Sequence, residues 1–531
     1  MKTSNIIAII AFVLITSNAS AQNIQRSDDE VFFRTQTEKI GSDAFGGRKP
    51  LTEYEDIAIH YIADQFKELG LKPGNGDSYF QDVPLLDVTT RIKGGAISVY
   101  TKKGKVLLKD QDDVVLWSPQ TKKQLNLKNL EFVFAGFGIK APEYGWDDYK
   151  GLDAKGKIVV VLVNDPGYYD TTLFRGHNMT YYGRWIYKFE EASRQGAAGV
   201  LVVHDTKPAS YPWNVVQASW SKNKEELVSD KGNLDQVQFK GWITKEKAEA
   251  LFASAGYTYD QLLQKALRKD FSNIPLHAKA SVIVNNKLII GNSHNVAALF
   301  PGTDLKDQYV IYSAHWDHLG IGKPVNGDSI YNGASDNASG VAALLTIAKR
   351  FTELKEKPRR SILFLSVTGE EAVLLGSQYY TEHPLAPLAK TAVDINFDGI
   401  APRAATNDLL LGAEGDSETD GYVYIAAAAQ GRKVVTSKEN TSGGYFRSDH
   451  FSFAKAGIPV VLAGGGTDFK NSNAPKRNRS TYHQPSDEYS DAWDFSGSLD
   501  DLYLNFSIGL SIANADKLPQ WYKGASYKRL Y

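Results

Sequence analysis

The sequence of 531 residues contains no cysteine. This absence excludes disulfide bonds within it, a nucleophilic thiol and a thiolate metal site. Any metal site must therefore use histidine and carboxylate ligands, which are typical of catalytic rather than structural zinc. The sequence has only ten histidines, so each of them can be assessed separately.

An excess of charge of one sign is also missing. Lysine and arginine together number 60, aspartate and glutamate number 61, and the formal net charge is −1. A strongly basic surface for nucleic acid or for an anionic membrane is not expected from this balance. We therefore predict neither a nucleic-acid partner nor a membrane partner.

Long hydrophobic runs are equally scarce. The apolar run at residues 6–15 is too short to span a bilayer comfortably, and it follows Lys2 and precedes the small residues 19–21. This pattern predicts a cleaved signal peptide over residues 1–21 and a secreted or periplasmic protein, with an uncleaved anchor helix as the alternative. No other stretch is long and apolar enough for a transmembrane helix.

The hydrophobic pattern changes along the rest of the chain. Residues 54–71 have apolar positions at helical spacing and predict an amphipathic helix. Residues 83–284 consist of short alternating or β-branched runs between turns, which indicates a β-rich module with one helix near residues 187–195. From residue 295 onward, predicted strands and helices alternate, as in a doubly wound α/β domain.

Acids and histidines concentrate in five short segments of the α/β region: His315-Trp316-Asp317, Asp336-Asn337, Glu370-Glu371, Asp398 and Tyr482-His483. Three of these segments follow the predicted strands 309–313, 361–367 and 392–396, and Asp336 precedes a predicted helix. In open α/β sheets, ligands bind beyond the carboxyl ends of the strands. Scattered surface carboxylates have no reason to cluster at strand ends, whereas metal ligands do.

The five segments match the needs of a two-metal hydrolase. Such a centre needs two imidazoles, one carboxylate shared between the ions, one further carboxylate for each ion and an open position for water. Taken singly, each acid or histidine is more simply a solvent-facing or core residue. Taken together, they indicate two-metal hydrolysis.

The order of these segments resembles that of the zinc aminopeptidases of the M28 peptidase family. The resembling stretches are AHWDHLG (314–320), NGASDNASG (332–340), TGEE (368–371), NFDG (396–399) and YHQPSDE (482–488). Each motif alone is weak, whereas five motifs in order are specific. The resemblance implies an α/β fold with a mixed, mostly parallel sheet flanked by helices, of the zinc-peptidase/phosphorylase-like type.

The resemblance also implies a ligand set for two zinc ions per chain. Asp336 would bridge the two ions. One ion would be completed by His315 and Asp398, and the other by Glu371 and His483.

Three candidate catalytic residues accompany this ligand set: the roles of Glu370 and Tyr482 follow from the resemblance, and that of Asp317 follows from its spacing. Glu370 would be the general base: in a partly desolvated site it can have a raised pKa and accept a proton from the attacking water, whereas Glu371 is held charged by an ion. Asp317, two residues after His315, would accept the free imidazole N–H with its side chain, with an acid in a surface turn as the alternative. Tyr482 would donate its phenol to the tetrahedral oxyanion, with a packing role as the alternative.

Other polar residues near the motifs match no ligand position. We interpret His318, His383 and His450 as structural. Arg447, in a loop with two glycines, can meet a substrate carbonyl or carboxylate, or it can form a surface ion pair. The segment 47–52 departs from the family pattern, so no role is predicted for it.

A second resemblance concerns the β-rich module. The stretches FAGFGI (134–139), DDYKGLD (147–153) and GKIVVV (156–161) resemble the protease-associated (PA) domain that is inserted in several secreted M28 enzymes. The predicted organisation is a signal peptide (1–21), the N-terminal part of the peptidase domain (22–85), an inserted β-rich PA-like domain (86–284), the catalytic peptidase domain (285–515) and a C-terminal tail (516–531).

The resulting hypothesis is an exported dinuclear-zinc aminopeptidase that acts on peptide substrates. A carboxypeptidase, a glutaminyl cyclase-like enzyme of the same fold and a non-catalytic receptor-like homologue are the alternatives. A complete five-ligand set disfavours the single-zinc cyclase, and concentrated negative charge disfavours an inert scaffold because it costs stability unless cations neutralise it. The residue preference and the oligomeric state stay open, and cobalt or manganese can replace zinc in the same ligand set.

Overall fold

The computed structural model describes residues 25–220, 222–400, 402–412, 416–436, 441–474 and 479–530. The predicted signal peptide at residues 1–21 lies outside these residues. The described chain folds into two compact units. The first unit comprises Met1–Val83, Ser293–Ser437 and Ser448–Tyr531, and the second comprises Pro84–Asn292 and Lys438–Arg447, each as far as it is described.

The strands are numbered along the chain. They are β1 (Lys72–Pro73), β2 (Phe80–Ile92), β3 (Ala96–Thr101), β4 (Gly104–Lys109), β5 (Val114–Trp117), β6 (Gln124–Phe134), β7 (Lys140–Ala141), β8 (Trp146–Asp147), β9 (Lys157–Leu162), β10 (Gly199–His204), β11 (Lys224–Leu227), β12 (Phe239–Thr244), β13 (Ile274–Phe300), β14 (Leu305–His315), β15 (Gly320–Val325), β16 (Asp328–Tyr331), β17 (Arg360–Val367), β18 (Thr391–Asn396), β19 (Asp408–Leu411), β20 (Lys433–Thr436), β21 (Val460–Val461) and β22 (Ala463–Gly464).

The α-helices are numbered in the same way, and α1 spans residues 25–40. The others are α2 (Glu53–Glu68), α3 (Trp185–Arg194), α4 (Thr206–Ala209), α5 (Trp213–Trp220), α6 (Lys245–Ser254), α7 (Tyr259–Ala266), α8 (Ser339–Thr352), α9 (Leu375–Glu382), α10 (Thr419–Ala429), α11 (His450–Lys455) and α12 (Ser496–Asn514). Short 3₁₀ helices lie at Asp43–Arg48, Pro142–Tyr144, Pro166–Tyr168, Tyr181–Gly183, Leu388–Lys390, Gly444–Phe446 and Arg479–Thr481, and a π-helical turn lies at Ala334–Ala338.

The first unit is built on a sheet with the strand order β21, β18, β14, β17, β13, β1. The first four strands are parallel, and β13 and β1 are added antiparallel at one edge. A small second sheet has the order β20, β19, β22. The predicted mixed, mostly parallel α/β sheet flanked by helices is therefore confirmed.

Helices α8 and α12 cover the central strands of this sheet. All eight residues of β17 are buried, as expected for a parallel strand with both faces covered. Leu344 of α8 and Tyr312 of β14 belong to the same hydrophobic core. A β-carbon at Gly509 of α12 would overlap the Tyr312 hydroxyl, which donates a hydrogen bond to the Asn505 carbonyl at 2.9 Å. This close packing fixes the strand ends on which the candidate site depends.

The second unit contains a sheet with the order β13, β6, β9, β10, β12, β5. The strands from β6 to β12 are parallel, and β13 and β5 are antiparallel at the two ends. Helix α3 packs on β10, and α6 packs on β12. Of the helices α3 to α7, the sequence predicts only α3. The unit is therefore mixed α/β, and its identification as a PA domain stays a prediction.

Local sequence patterns locate several elements well. The helix predicted over residues 54–71 is α2, and the strand predicted over residues 361–367 is β17. Within the described residues, none of the helices combines the length and the apolarity that crossing a membrane requires.

Candidate metal centre

Three parallel strands of the first unit have their carboxyl ends side by side. β14 ends at His315, β17 at Val367 and β18 at Asn396. His315 is paired with Val367, and Ser313 is paired with Asn396. The segments that follow these three strands therefore leave the sheet next to one another. The predicted site residues that directly follow the strand ends are Asp317, Glu370, Glu371 and Asp398.

Asp336 reaches the same region from the π-helical turn Ala334–Ala338, which precedes α8. Gly333 enters the turn with a positive φ of 55°, where glycine carries no steric penalty. The backbone N–H groups of Ser335 and Asp336 both donate to the Asp487 carboxylate at 3.1 Å. Asp487 thereby fixes the turn that carries Asp336.

The Asp336 carboxylate lies between two imidazoles. Its Oδ1 atom is 3.3 Å from His315 Nε2, and its Oδ2 atom is 3.4 Å from His483 Nε2. His315 Nε2 is also 3.6 Å from Asp398 Oδ1, and His483 Nε2 is 3.1 Å from Glu371 Oε2. The structure therefore brings all five predicted ligands together, with Asp336 in the position that a shared ligand needs.

The donor atoms of this cluster suit a metal ion. The Nε2 atoms of His315 and His483 are buried and have no hydrogen-bond partner, although both face carboxylates. Two groups among the described residues each place one donor atom per residue within 4.8 Å of the others: His315 with Glu370 and Asp398, and His318 with Asp336 and Glu371. Because zinc is bound by imidazole nitrogens and carboxylate oxygens, these residues fit zinc.

The acids of the cluster act strongly on its imidazoles. Burial alone would lower the pKa of His483, but Glu371 and Asp336 outweigh burial and raise the pKa to about 10. His315 shows the same balance: burial opposes Glu370 and the other acids, and the acids raise its pKa. A bound cation compensates the same acids and leaves the imidazoles neutral, which is the form that binds zinc.

The two adjacent glutamates differ in their pKa. Burial raises the pKa of Glu370 well above its usual value, and Asp398 and Glu371 add to this effect. Burial acts in the same direction on Glu371, but His483 and His318 outweigh it and lower the pKa to about 2. A permanently charged carboxylate suits a metal ligand, whereas one with a raised pKa suits a general base.

Asp317 makes a different set of contacts from the predicted one. His315 Nδ1 lies 3.1 Å from the backbone oxygen of Asp317 and 3.7 Å from its carboxylate. The carboxylate instead accepts the backbone N–H groups of Glu370 at 3.1 Å and Glu371 at 3.3 Å. Asp317 therefore orients the imidazole with its main chain and holds the glutamate pair with its side chain.

His318 joins the cluster, although the sequence interpretation leaves it as structural. The side chain is buried, and its Nδ1 atom is 2.6 Å from Glu371 Oε1. Its ring lies 5.5 Å from the ring of His483. The sequence feature that could have identified His318 as part of the cluster is its position three residues after the candidate ligand His315. His318 therefore restrains the Glu371 carboxylate or offers a further ligand atom.

Asn337 connects the segments that carry the ligands. Its Nδ2 atom donates to the carbonyls of His315 at 3.3 Å and Phe397 at 2.8 Å. Its Oδ1 atom accepts the N–H of Gly399 at 3.1 Å. Because Phe397 and Gly399 flank Asp398, this amide fixes the backbone on both sides of that carboxylate.

Arg48 is fully buried, and its guanidinium donates to four backbone carbonyls of the described residues. Its Nε atom donates to the Trp316 carbonyl at 2.8 Å. Its Nη1 atom donates to the carbonyls of Ile40 at 2.8 Å and Asn332 at 2.6 Å, and its Nη2 atom donates to the Gly333 carbonyl at 3.0 Å. Burial lowers its pKa to about 10, and the acids of the cluster oppose this shift. Arg48 therefore clamps the loops that carry the ligands, from a segment for which the sequence predicts no role.

Replacement of Arg48 by methionine is expected to lower the free energy of unfolding by about 4 kcal/mol or more. The carbonyls of Trp316, Ile40 and Asn332 lose their Arg48 donor, whereas that of Gly333 keeps the Ala338 N–H, and each unsatisfied buried group costs about 1–3 kcal/mol. Arg48→Lys keeps the charge but not the planar fork, so its stability should fall between the two. Urea unfolding at neutral pH measures the difference.

The control for this experiment is Arg26→Met. Arg26 is about one-third exposed and pairs with Asp500 at 2.8 Å, so its loss should cost no more than about 1 kcal/mol. An Arg48→Met protein that is as stable as Arg26→Met would contradict the clamping role.

Tyr482 lies next to the candidate ligand His483. Its ring is stacked on the His483 ring at a centroid distance of 3.8 Å and an interplanar angle of 19°. Partial burial, together with Asp336 and Glu371, raises the pKa of the phenol. The hydroxyl therefore keeps its proton near neutral pH and can donate it in a hydrogen bond.

The remaining residues singled out from the sequence lie outside the two metal-compatible groups found in the described chain. His383 is exposed, and its ring stacks on Tyr379 at 4.3 Å. His450 is buried at the start of α11. Arg447 is exposed, and no ion pair forms at its guanidinium among the residues that the structure describes; Nη2 donates to the Ser442 carbonyl at 2.8 Å.

Comparison with known proteins identifies a family for part of the chain. The model of Peptidase family M28 matches residues 295–506. This range contains all five candidate ligands and the three candidate catalytic residues. The predicted family resemblance is therefore confirmed for this region.

Two relatives are named as aminopeptidases. Aminopeptidase NAALADL1 of Rattus norvegicus is 38% identical over 159 residues, which are 29% of this chain and 19% of that protein. Aminopeptidase YwaD of Bacillus subtilis (strain 168) is 26% identical over 336 residues, which are 60% of this chain and 57% of that protein. The chain thus matches about a fifth of the first relative's length and just over half of the second's.

A solved structure shares the fold. The structure described as "Aminopeptidase from Aneurinibacillus sp. strain AM-1" superposes with a TM-score of 0.51 at 20% identity, and the superposition covers 93% of this chain and 96% of that chain. This likeness supports the same overall fold for the described chain.

Proposed function

Because residues 295–506 match the model of Peptidase family M28, we propose that the protein is an exported two-zinc aminopeptidase that releases N-terminal residues from peptides. The observation that carries the proposal is the Asp336 carboxylate between His315 and His483, at 3.3 Å and 3.4 Å. The names of the two relatives support an aminopeptidase. The signal peptide predicted over residues 1–21 supports export.

The proposed ligand assignment follows the distances at the centre. Asp336 would be shared by both ions, His315 and Asp398 would complete one zinc site, and Glu371 and His483 would complete the other. Bound zinc would activate a water molecule and polarise the scissile carbonyl.

The chain's own side chains then move the proton and stabilise charge. Glu370 takes a proton from the attacking water as the water oxygen bonds to the carbonyl carbon, and it delivers that proton to the leaving amine as the C–N bond breaks. Asp317 holds the Glu370 backbone in place during both transfers. Tyr482 donates its phenol hydrogen to the oxyanion, and its stacking on His483 positions the ring.

A substrate panel tests this function. Aminoacyl anilides and short peptides with a free or an acetylated N-terminus are compared before and after chelation. Acetylation is expected to lower kcat/KM by about 100-fold or more, because a site built to bind an amine rejects an analogue that lacks it. Chelation should abolish hydrolysis, and added zinc should restore it.

The zinc content of the same purified protein is measured as a control. About two zinc ions per chain are expected by elemental analysis, one for each site of a two-metal centre. Equal hydrolysis of free and acetylated peptides would contradict an aminopeptidase and favour the carboxypeptidase alternative. Conversion of N-terminal glutamine without peptide hydrolysis would favour the cyclase. A gently purified protein without metal would favour the receptor-like homologue.

A further inference from the structure

Two arginines of the second unit lie on segments that pack against each other. Arg184 joins the 3₁₀ helix Tyr181–Gly183 to α3, and Arg447 follows the 3₁₀ helix Gly444–Phe446. Gly443 makes the contact between the segments: its φ is 67°, and a β-carbon there would lie 3.0 Å from Arg184 Cδ. The loop that carries Arg447 can therefore approach Arg184 closely only with glycine at this position.

A ring contact also holds the two segments together. The rings of Tyr181 and Phe446 lie 5.9 Å apart. The two guanidinium groups are therefore carried by backbone that is packed together, rather than by independent surface loops.

Neither arginine has an acidic partner among the described residues. The Nε atom of Arg184 is buried and has no hydrogen-bond partner. The exposed guanidinium of Arg447 donates through Nη2 to the Ser442 carbonyl of its own loop. Other arginines of this unit do pair: Arg268 is 2.7 Å from Asp270.

The charges of Arg184 and Arg447 act on each other and on the phenol of Tyr211. Burial lowers the pKa of Arg184 to about 10, and the charge of Arg447 adds to this effect. Burial raises the pKa of Tyr211 to about 12, although both arginine charges oppose the shift. At neutral pH, Arg184 and Arg447 are therefore cationic and the Tyr211 hydroxyl is protonated. Each of the three groups can donate a hydrogen bond.

We propose that Arg184 and Arg447 form a binding site for a carboxylate ligand within the second unit. A guanidinium offers a planar fork of N–H donors that matches a carboxylate, and charge-assisted hydrogen bonds of this kind are about twice as strong as neutral ones. A bound anion satisfies the buried Arg184 Nε atom and neutralises the repulsion from Arg447. Neither arginine is a candidate zinc ligand or a candidate catalytic residue.

Calorimetric titration of the purified zinc-loaded protein with N-acetylalanine tests the site. N-acetylalaninamide, which lacks the carboxylate, is expected not to bind there. Arg184→Met and Arg447→Met should each raise the Kd for N-acetylalanine by about tenfold or more, because each removes a charge-assisted contact. Arg268→Met is the matched control: it removes the same charge from the same unit and should leave the Kd unchanged.

The outcomes separate the possible ligands. Wild-type Kd values in the Arg184→Met/Arg447→Met double variant would overturn the proposal. Binding of inorganic phosphate with the same arginine dependence, without binding of N-acetylalanine, would overturn the carboxylate assignment. If Arg184→Met fails to fold, Arg184→Lys and the exposed Arg447→Met decide the question, and unchanged binding in both would overturn the site.

Discussion

Glu370→Gln is expected to lower kcat on an aminoacyl anilide by about 10² to 10⁴-fold while the zinc content stays the same. The amide has nearly the shape of the carboxylate, and the backbone N–H of residue 370 keeps its hydrogen bond to Asp317. The amide cannot take a proton from the attacking water. Burial and the neighbouring acids Asp398 and Glu371 raise the pKa of Glu370, and a raised pKa makes this carboxylate a better proton acceptor. Kinetics and elemental analysis on one sample measure both quantities.

Glu371→Gln is the matched control, because it makes the same chemical change one residue along the chain. The Glu371 carboxylate has a pKa lowered to about 2 and lies 3.1 Å from His483. Its amide variant should therefore lose zinc as well as activity. A Glu370→Gln enzyme that keeps more than about a tenth of the wild-type kcat would refute the general-base role.

Asp336→Asn is expected to remove both zinc ions together. Its two oxygens face different imidazoles, those of His315 and His483, so one substitution disturbs both sites. The backbone N–H of this residue should still donate to Asp487, which preserves the turn. The zinc content should fall from about two per chain to near zero, because both ions depend on this carboxylate.

The stability of the variant provides a second measurement. A metal that binds only the folded state stabilises it by about 4 kcal/mol when its free concentration is a thousand times Kd. Added zinc should therefore raise the Tm of the wild type and leave the Tm of Asp336→Asn almost unchanged. Asp398→Asn is the control, because it should lose one ion only. An Asp336→Asn protein with one full zinc site would show that the carboxylate is not shared.

Local patterns predict much of the first unit because its central strands are buried. A parallel strand covered on both faces is a continuous apolar run, so residues 361–367 predict β17 within one residue. The acids and histidines that directly follow such apolar runs can be recognised in the sequence for the same reason. Their roles as ligands stay predictions until metal is measured.

The contacts around these residues depend on distant parts of the chain. Arg48 bonds to the carbonyl of Asn332, which is 284 residues away. Asp317 holds Glu370 from 53 residues away, and Asp487 holds the Asp336 turn from 151 residues away. No local spacing rule links such pairs, because only the folding of the sheet brings them together.

Arg184 and Arg447 of the second unit are a further example of residues whose contacts local sequence patterns do not predict. The loop with Arg447 is separated from Arg184 by the first unit's strands in sequence, yet it belongs to the second unit. From sequence alone, a surface ion pair is as reasonable for Arg447 as a contact with a ligand. No ion pair forms at its guanidinium among the described residues, and this observation disfavours the surface ion pair.

The sequence by itself indicated the class of chemistry: a chain without cysteine can build a metal site only from imidazoles and carboxylates, and three of the five segments place these groups at predicted strand ends. The tertiary structure alone decided how they face one another, with Asp336 between His315 and His483 and with His318 against Glu371. The physical reason is that residue type and spacing set what a segment can bind. The distances between segments are set by long-range packing, which no single segment contains.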